Sequence, residues 1–231
     1  PMKRFLIILV SLPILSGCTD SQKENTDYPI QPVSFNEVSI QDQFWLPRIN
    51  TNREVTIPYD FRKCEETHRI NNFAIAGGLK EGSFKGIRYN DSDVFKVMEA
   101  AAYSLSTYPD EELESYMDSL IMLVPAAQED DGYLYTARTI DPDTAISNAG
   151  STRWSLLKQS HELYNIGHMY EAAEAYYQAT GKRNFLDVAL KSADLVCATF
   201  GPEDGKLHDV PGHQGIEIGL VKLYRVSGDE K

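Results

Sequence analysis

The stretch HELYNIGHMYEAAEAYYQATGK, residues 161–182, decides the fold. It reads as the body of a helix spanning about 158 to 180 and closing at Gly181, because glycine sits just past helix ends. Within it His161, Asn165 and His168 stand at i, i+4 and i+7, which puts three polar groups on one stripe. A zinc-protease pair needs histidines four apart. Here the second lies seven on, about 10.5 Å of rise away, so one metal ion does not take both. A histidine picked blind more often bonds neighbouring backbone than a ligand. His161 is the exception, because it opens the helix just after a long loop, whereas His168 lies two turns deeper.

Working outward, the text stays helical. Asp91 or Ser92 is expected to cap a helix whose apolar positions Val94, Phe95, Val97, Met98, Ala101, Ala102 and Leu105 follow the helical period, with Pro109 as its stop. Asp110 opens the next, with Leu113, Met117, Leu120, Ile121 and Val124 inward and an end near Gln128. Further helices are read over 184–200, closed by Gly201, and 216–226, closed by Gly228. Upstream, Val38 to Ile40 and Phe44-Trp45 read as a short extended segment, and 46–67 as a helix interrupted at Pro58. Glycines at 77, 78, 82 and 86 mark a loop. Short turns (TYPD, TGKRN) alternate with long loops (129–157, 201–214), so the helices are expected to form antiparallel hairpins in a toroid or solenoid. The long loops then emerge at one end, where a pocket is expected. Residues 129–153 are read as a polar loop and Glu129, Asp130 and Asp131 as a solvated charge run.

The segment Pro211-Gly212-His213-Gln214-Gly215 repeats the arrangement at 161: a glycine-rich loop delivers a histidine to a helix start. Glycine permits close backbone approach, and a neutral imidazole both donates and accepts hydrogen bonds, which suits a hydroxyl-rich ligand. His161 and His213 are therefore the candidate binding residues.

Composition narrows the classes. The 231 residues carry 22 Lys+Arg against 34 Asp+Glu, a net charge of −12, which repels phosphate backbones and argues against nucleic-acid binding. Cys18, Cys64 and Cys197 are too scattered for a disulfide framework and form no ligand-spaced cluster, so no metal site is expected in the chain itself. Lys3 and Arg4 precede an apolar run from Phe5 to Leu15, far short of the roughly 20 residues a bilayer span needs but suited to a signal peptide. Leu15-Ser16-Gly17-Cys18 resembles a bacterial lipobox, with Cys18 as the lipidated first residue of the mature chain. The expected organisation is a leader over 1–17, a flexible tether over 18–34 with two prolines and no periodicity, and one domain over 35–231. Thr19 is not the aspartate of inner-membrane retention, so the expected location is the cell envelope, lipid-anchored at the outer membrane. The last helix runs into Asp229-Glu230-Lys231 without a closing element and reads as truncated.

Four ordered blocks carry a resemblance. They are Tyr89-Asn90-Asp91-Ser92-Asp93-Val94-Phe95-Lys96; Ala127-Gln128 followed by Asp131-Gly132-Tyr133-Leu134; the stretch at 161–182; and PGHQGIEIGLVKLYRVSGD at 211–229. Together they resemble glycoside hydrolase family 127, the β-L-arabinofuranosidases, over about residues 35 to 231. The resemblance implies an all-α fold, the first half of an (α/α)6 barrel built of helical hairpins and preceded by a short extended segment. It implies retaining, exo-acting release of terminal β-L-arabinofuranose from an arabinofuranose-containing oligosaccharide. It also implies a zinc-held cysteine nucleophile and a separate glutamate acid/base, none of which falls in this chain; nothing transfers to Cys64 or Cys197. His161 and His213 match family positions that hydrogen-bond the sugar. Gln214-Gly215-Ile216-Glu217 stands where many members read PEIE. The alternative class is a non-catalytic sugar-binding or helical scaffold lipoprotein.

Overall fold

The computed structural model describes residues 29, 30, 32–142 and 148–231. The chain divides into two units, Pro1–Val33 and Ser34–Lys231. In the first, the described residues Pro29, Ile30, Pro32 and Val33 are exposed. The expected leader, the lipobox with Cys18 and most of the tether lie outside the described residues.

The second unit is all helical. A 3-10 turn at Phe35–Glu37 precedes α1 (Trp45–Thr51), a π-helical turn (Asn52–Thr56), α2 (Ile57–Glu66) and α3 (Arg69–Ala76). Then follow α4 (Asn90–Thr107), α5 (Glu111–Ile121), α6 (Leu123–Ala127), the short α7 (Thr136–Ile140) and α8 (Leu157–Ser160), α9 (Glu162–Thr180), α10 (Asn184–Thr199) and α11 (Ile216–Ser227). Among the described residues the nearest thing to a sheet is one isolated bridge between Phe200 and Leu207.

The stretch at 161–182 forms the axis of the packing. α9 is buried on nearly every side, as a helix enclosed by others must be, and α4, α10 and α11 all pack against it. Small residues allow the close approach: Ala101 and Ala102 of α4 and Ala172, Ala173 and Ala175 of α9 are fully buried. The crossing of α9 with α11 depends on glycine. A Cβ on Gly167 would stand 3.0 Å from the Ile216 backbone, and one on Gly219 would stand 2.8 Å from the Gly167 carbonyl oxygen. Phe95 sits fully buried at the centre, its ring 5.4 Å from Phe73 and 6.2 Å from Phe185. Gly181 and Gly228 close α9 and α11 in the left-handed conformation, as expected, and Asp110 caps α5 by accepting from the Glu112 and Leu113 amides.

Several local expectations need correction. Phe44-Trp45 is not extended: both amides donate to the Asp42 carboxylate, which starts α1 at Trp45. Pro58 does not interrupt the helix. It falls in the first turn of α2, and the preceding π turn, closed by the Ile57 amide on the Asn52 carbonyl, carries the chain through in helical dihedrals. A further helix, α3, follows a left-handed residue at His68. Asp91 and Ser92 do not cap α4, which starts at Asn90 with no side-chain cap; Asp91 is buried and accepts from the Thr136 amide and hydroxyl. α10 ends at extended Phe200, ahead of Gly201. Residues 129–153 are more than a polar loop: Tyr133, Tyr135, Ala137 and Ala149 form a second buried cluster with Phe84, Trp154 and Leu195 around them. The acidic run is partly engaged, since Glu129 and Asp131 both pair with Arg153.

Candidate functional site

Three helix entries meet. Tyr89 precedes α4, His161 precedes α9 and His213 lies in the loop before α11. The His161 ring stands 5.0 Å from Tyr89 and 4.8 Å from His213. Tyr164, one turn into α9, faces both histidines, 5.6 Å from His161 and 5.4 Å from His213. Leu157, Lys158, His161, Tyr164, Pro211, Gly212 and His213 line a narrow cleft here. The pair singled out by sequence position is thus brought together, and at the loop end of the helices. Among the larger hollows elsewhere are one between α10 and α11 and one around α1 and α4. They are lined mostly by aliphatic and aromatic groups, without a comparable convergence of imidazoles.

The backbone explains the placement. His161 breaks α8 from α9 with φ of 64°, a left-handed conformation that costs a non-glycine residue about 1 kcal/mol or more. The break is held on both sides. Tyr135 donates to the Ser160 carbonyl at 2.7 Å. Buried Glu162 accepts from Tyr133 at 2.7 Å, from the Ser160 hydroxyl at 2.6 Å and from the Trp154 amide at 3.0 Å. The loop 129–157 therefore ends in a fixed frame rather than free solvent. On the other side Gly212 runs against α8 so closely that a Cβ would sit 1.9 Å from the Lys158 carbonyl oxygen. Only glycine fits, and His213 follows directly.

The tautomer of His161 follows from its partner. Nδ1 lies 2.7 Å from the Gln159 carbonyl oxygen, which can only accept, so Nδ1 carries the proton. Burial, with smaller contributions from Arg88, His213 and Lys96, lowers the pKa and keeps the ring neutral. Nε2 is then left as an acceptor. Tyr164 is held by Lys96, whose ammonium donates to the phenol oxygen at 2.7 Å.

The other stripe residues have different work. Asn165 is buried and staples α9 to the start of α4, accepting from the Ser92 amide at 3.2 Å and donating to the Arg88 carbonyl at 3.2 Å. His168 is half-buried against Tyr164, ring centres 4.7 Å apart, and burial lowers its pKa. Tyr89, Tyr164, Arg88 and Lys158 were not singled out from sequence. The available signal was position: Tyr89 stands before a helix start as His161 does, and Tyr164 is one turn beyond it.

Among the described residues one group could hold a metal ion, Glu99, His168 and Glu171. Lys222 already bridges its carboxylates, at 3.1 Å from Glu99 and 2.8 Å from Glu171. The cysteine-rich zinc set implied by the resemblance does not fit the residues present. Cys64 and Cys197 are free and line different hollows. Burial pushes the Cys64 thiol up to about 11 and raises that of Cys197, the opposite of what a thiolate ligand or nucleophile requires.

The described residues form a helical array with imidazoles and phenols gathered at its loop end. The family model for the β-L-arabinofuranosidase GH127 catalytic domain matches residues 37–231, and the chain belongs to that family. It is 38% identical over 213 residues to a non-reducing end β-L-arabinofuranosidase of Bifidobacterium longum, covering 84% of this chain and 32% of that protein. A solved GH127 β-arabinofuranosidase shares 51% identity with a TM-score of 0.83, over 88% of this chain and 32% of the other. A GH127 β-L-arabinofuranosidase from Geobacillus stearothermophilus shares 44% identity with a TM-score of 0.78, over 84% of this chain and 30% of the other. The chain spans about a third of the length of these relatives.

Proposed function

We propose that the protein takes part in exo-acting, retaining hydrolysis of terminal β-L-arabinofuranosides, and that His161 and His213 hold the departing sugar. The observation that carries this is the paired imidazoles at the loop end. His161 offers Nε2 as an acceptor for a sugar hydroxyl, His213 is exposed beside it, and Tyr89 and Tyr164 offer ring faces of the kind that sugars stack on. The β-L-arabinofuranosidase activity of the GH127 relatives agrees with it. These residues bind and orient; no described residue has the setting of a thiolate nucleophile, so bond cleavage is not assigned to this stretch. The same lack keeps a non-catalytic sugar-binding role as the second reading.

The test uses the protein expressed from its intact gene and p-nitrophenyl β-L-arabinofuranoside. Replacing His161 or His213 by Ala should lower kcat/KM roughly 5- to 150-fold, the loss of one hydrogen bond to a buried hydroxyl. No turnover above buffer by the parent, with arabinofuranose still binding, decides for the second reading.

We further propose that Cys18 carries a lipid anchor at the outer membrane. The support is Lys3-Arg4, the apolar run and Leu15-Ser16-Gly17-Cys18. No helix among the described residues is long and apolar enough to cross a membrane. An unmodified peptide spanning residues 10–30 in the membrane-free fraction would overturn it.

A further inference from the structure

We propose that the rim of the His161–His213 cleft is a subsite for a carboxylate, selecting glycans with an acidic sugar beside the unit that the cleft receives. The proposal rests on the reading of the cleft as glycan-binding and adds the chemical class of the neighbouring unit.

The argument starts from charge. The chain is strongly acidic, with a net charge of −12, yet the fixed charges at this cleft are cations. Lys158 is exposed and lines the cleft itself. Arg88 approaches from the loop before α4, its Nε donating to the Gln159 carbonyl at 2.6 Å and its guanidinium 5.4 Å from the Tyr89 ring centre. Lys96 lies behind Tyr164. Among the described residues, neither Arg88 nor Lys158 has a carboxylate within ion-pair distance.

Four acids on the neighbouring elements are engaged elsewhere. Asp93 pairs with Arg69 at 2.8 Å and stands 3.8 Å from Lys96. Asp91 is held by Thr136 and Glu162 by its three donors. Glu217 turns back to accept from the Gly215 amide at 2.9 Å. Among the described residues, two cations without a carboxylate partner therefore flank the His161–His213 pair. With its Nε committed to Gln159, Arg88 keeps its terminal NH2 groups, and a planar fork of this kind matches a carboxylate. Lys158 adds a second, exposed point charge on the cleft lining.

The test uses the protein expressed from its intact gene and the ring Cε1–H resonances of His161 and His213. The probes are methyl α-D-galacturonoside, its neutral counterpart methyl α-D-galactoside, and sodium acetate, all at matched ionic strength. Two exposed charge contacts of ordinary strength predict that the acid binds about five-fold more tightly than the neutral glycoside. Lys158→Glu should abolish that preference, Arg88→Gln should reduce it, and 0.5 M salt should erode it. Backbone amide spectra check that both variants keep the parent fold. Equal affinity for both glycosides, acetate matching the acid, no shift with any probe, or a preference untouched by Lys158→Glu would each overturn the proposal. Hydrolysis of arabinosides is read separately on the protein expressed from its intact gene: its absence sinks the glycosidase reading while leaving a carboxylate preference standing, and its presence without that preference sinks only this inference.

Discussion

Glu162 is the most informative place to perturb, because one carboxylate holds the frame around His161. It is 1% exposed and takes hydrogen bonds from the Tyr133 hydroxyl, the Ser160 hydroxyl and the Trp154 amide. A hydrogen bond to a charged acceptor contributes about 1.5–3 kcal/mol, and a buried donor left alone costs about 1–3 kcal/mol. Glu162→Ala strands all three donors, although the Ser160 hydroxyl can turn to another acceptor. The expected loss is about 4–6 kcal/mol, a large share of the total stability of a domain this size. Glu162→Gln keeps Oε1 for Tyr133 and Trp154, and its new amide meets a hydroxyl that can rotate to accept, so about 1 kcal/mol is expected. Tyr133→Phe removes one donor and should cost about 1–2 kcal/mol. Urea unfolding monitored by tryptophan fluorescence gives these values from midpoints at constant slope. An Ala variant within about 1 kcal/mol of the parent, or a Gln variant as unstable as Ala, would refute the reasoning.

Four further outcomes are expected. Phe95→Ala should lower stability by about 3–5 kcal/mol, because the ring is fully buried between Phe73 and Phe185; with the His161 and His213 variants above, it separates scaffold from site if the histidine variants keep the parent's urea midpoint. Burial pushes the Asp91 carboxyl up to about 6, above its unfolded value near 3.9, so the folded state holds its proton more tightly. The stability this gives is fully present below about pH 4 and is lost as pH rises through about 6, up to about 3 kcal/mol; Asp91→Asn should flatten the stability profile in that window, and an unchanged profile would refute it. Cys64, with its thiol pushed up to about 11, should react with iodoacetamide at pH 8 at least ten-fold more slowly than a free thiol, as mass spectrometry can follow. Gly212→Ala should displace the 211–214 loop from α8, since the added methyl meets the Lys158 carbonyl oxygen; unchanged His213 ring resonances would count against that.

The helical register was legible wherever local chemistry decides it. The apolar period of α4, the Asp110 cap of α5 and the closing glycines of α9 and α11 act within a few residues, and the structure follows them. What was not legible depends on partners far along the chain. Asp91 stands where an N-cap belongs, but the Thr136 amide and hydroxyl, 45 residues away, draw its carboxylate into the interior. Residues 129–153 look polar because their charges lie at the ends and tip. Tyr133, Tyr135 and Ala137 alternate with residues that face other ways, and their burial requires Phe84, Trp154 and Leu195. The π turn before Pro58 is a rearrangement that no propensity scale anticipates.

The site was legible as two positions and not as a constellation, and the reason lies in the backbone at His161. Its φ of 64° turns α9 away from α8 and sets which face of the helix carries Tyr164. Left-handed geometry is ordinarily a glycine or asparagine signal, so the sequence around a histidine hides it. Nor does the strain mark function by itself. His68 has the same φ of 64° between α2 and α3, and among the described residues it has no ring contact. What sets His161 apart is that strain and convergence coincide. Tyr135 and Glu162 hold the backbone on both sides of the break, and two phenol rings and a second imidazole meet the side chain that the break presents. A strained residue held from both sides is a cost the fold carries for the placement of one ring. The placement in turn leaves Nε2 of the His161 imidazole as an acceptor beside His213 and two cations that, among the described residues, have no carboxylate partner.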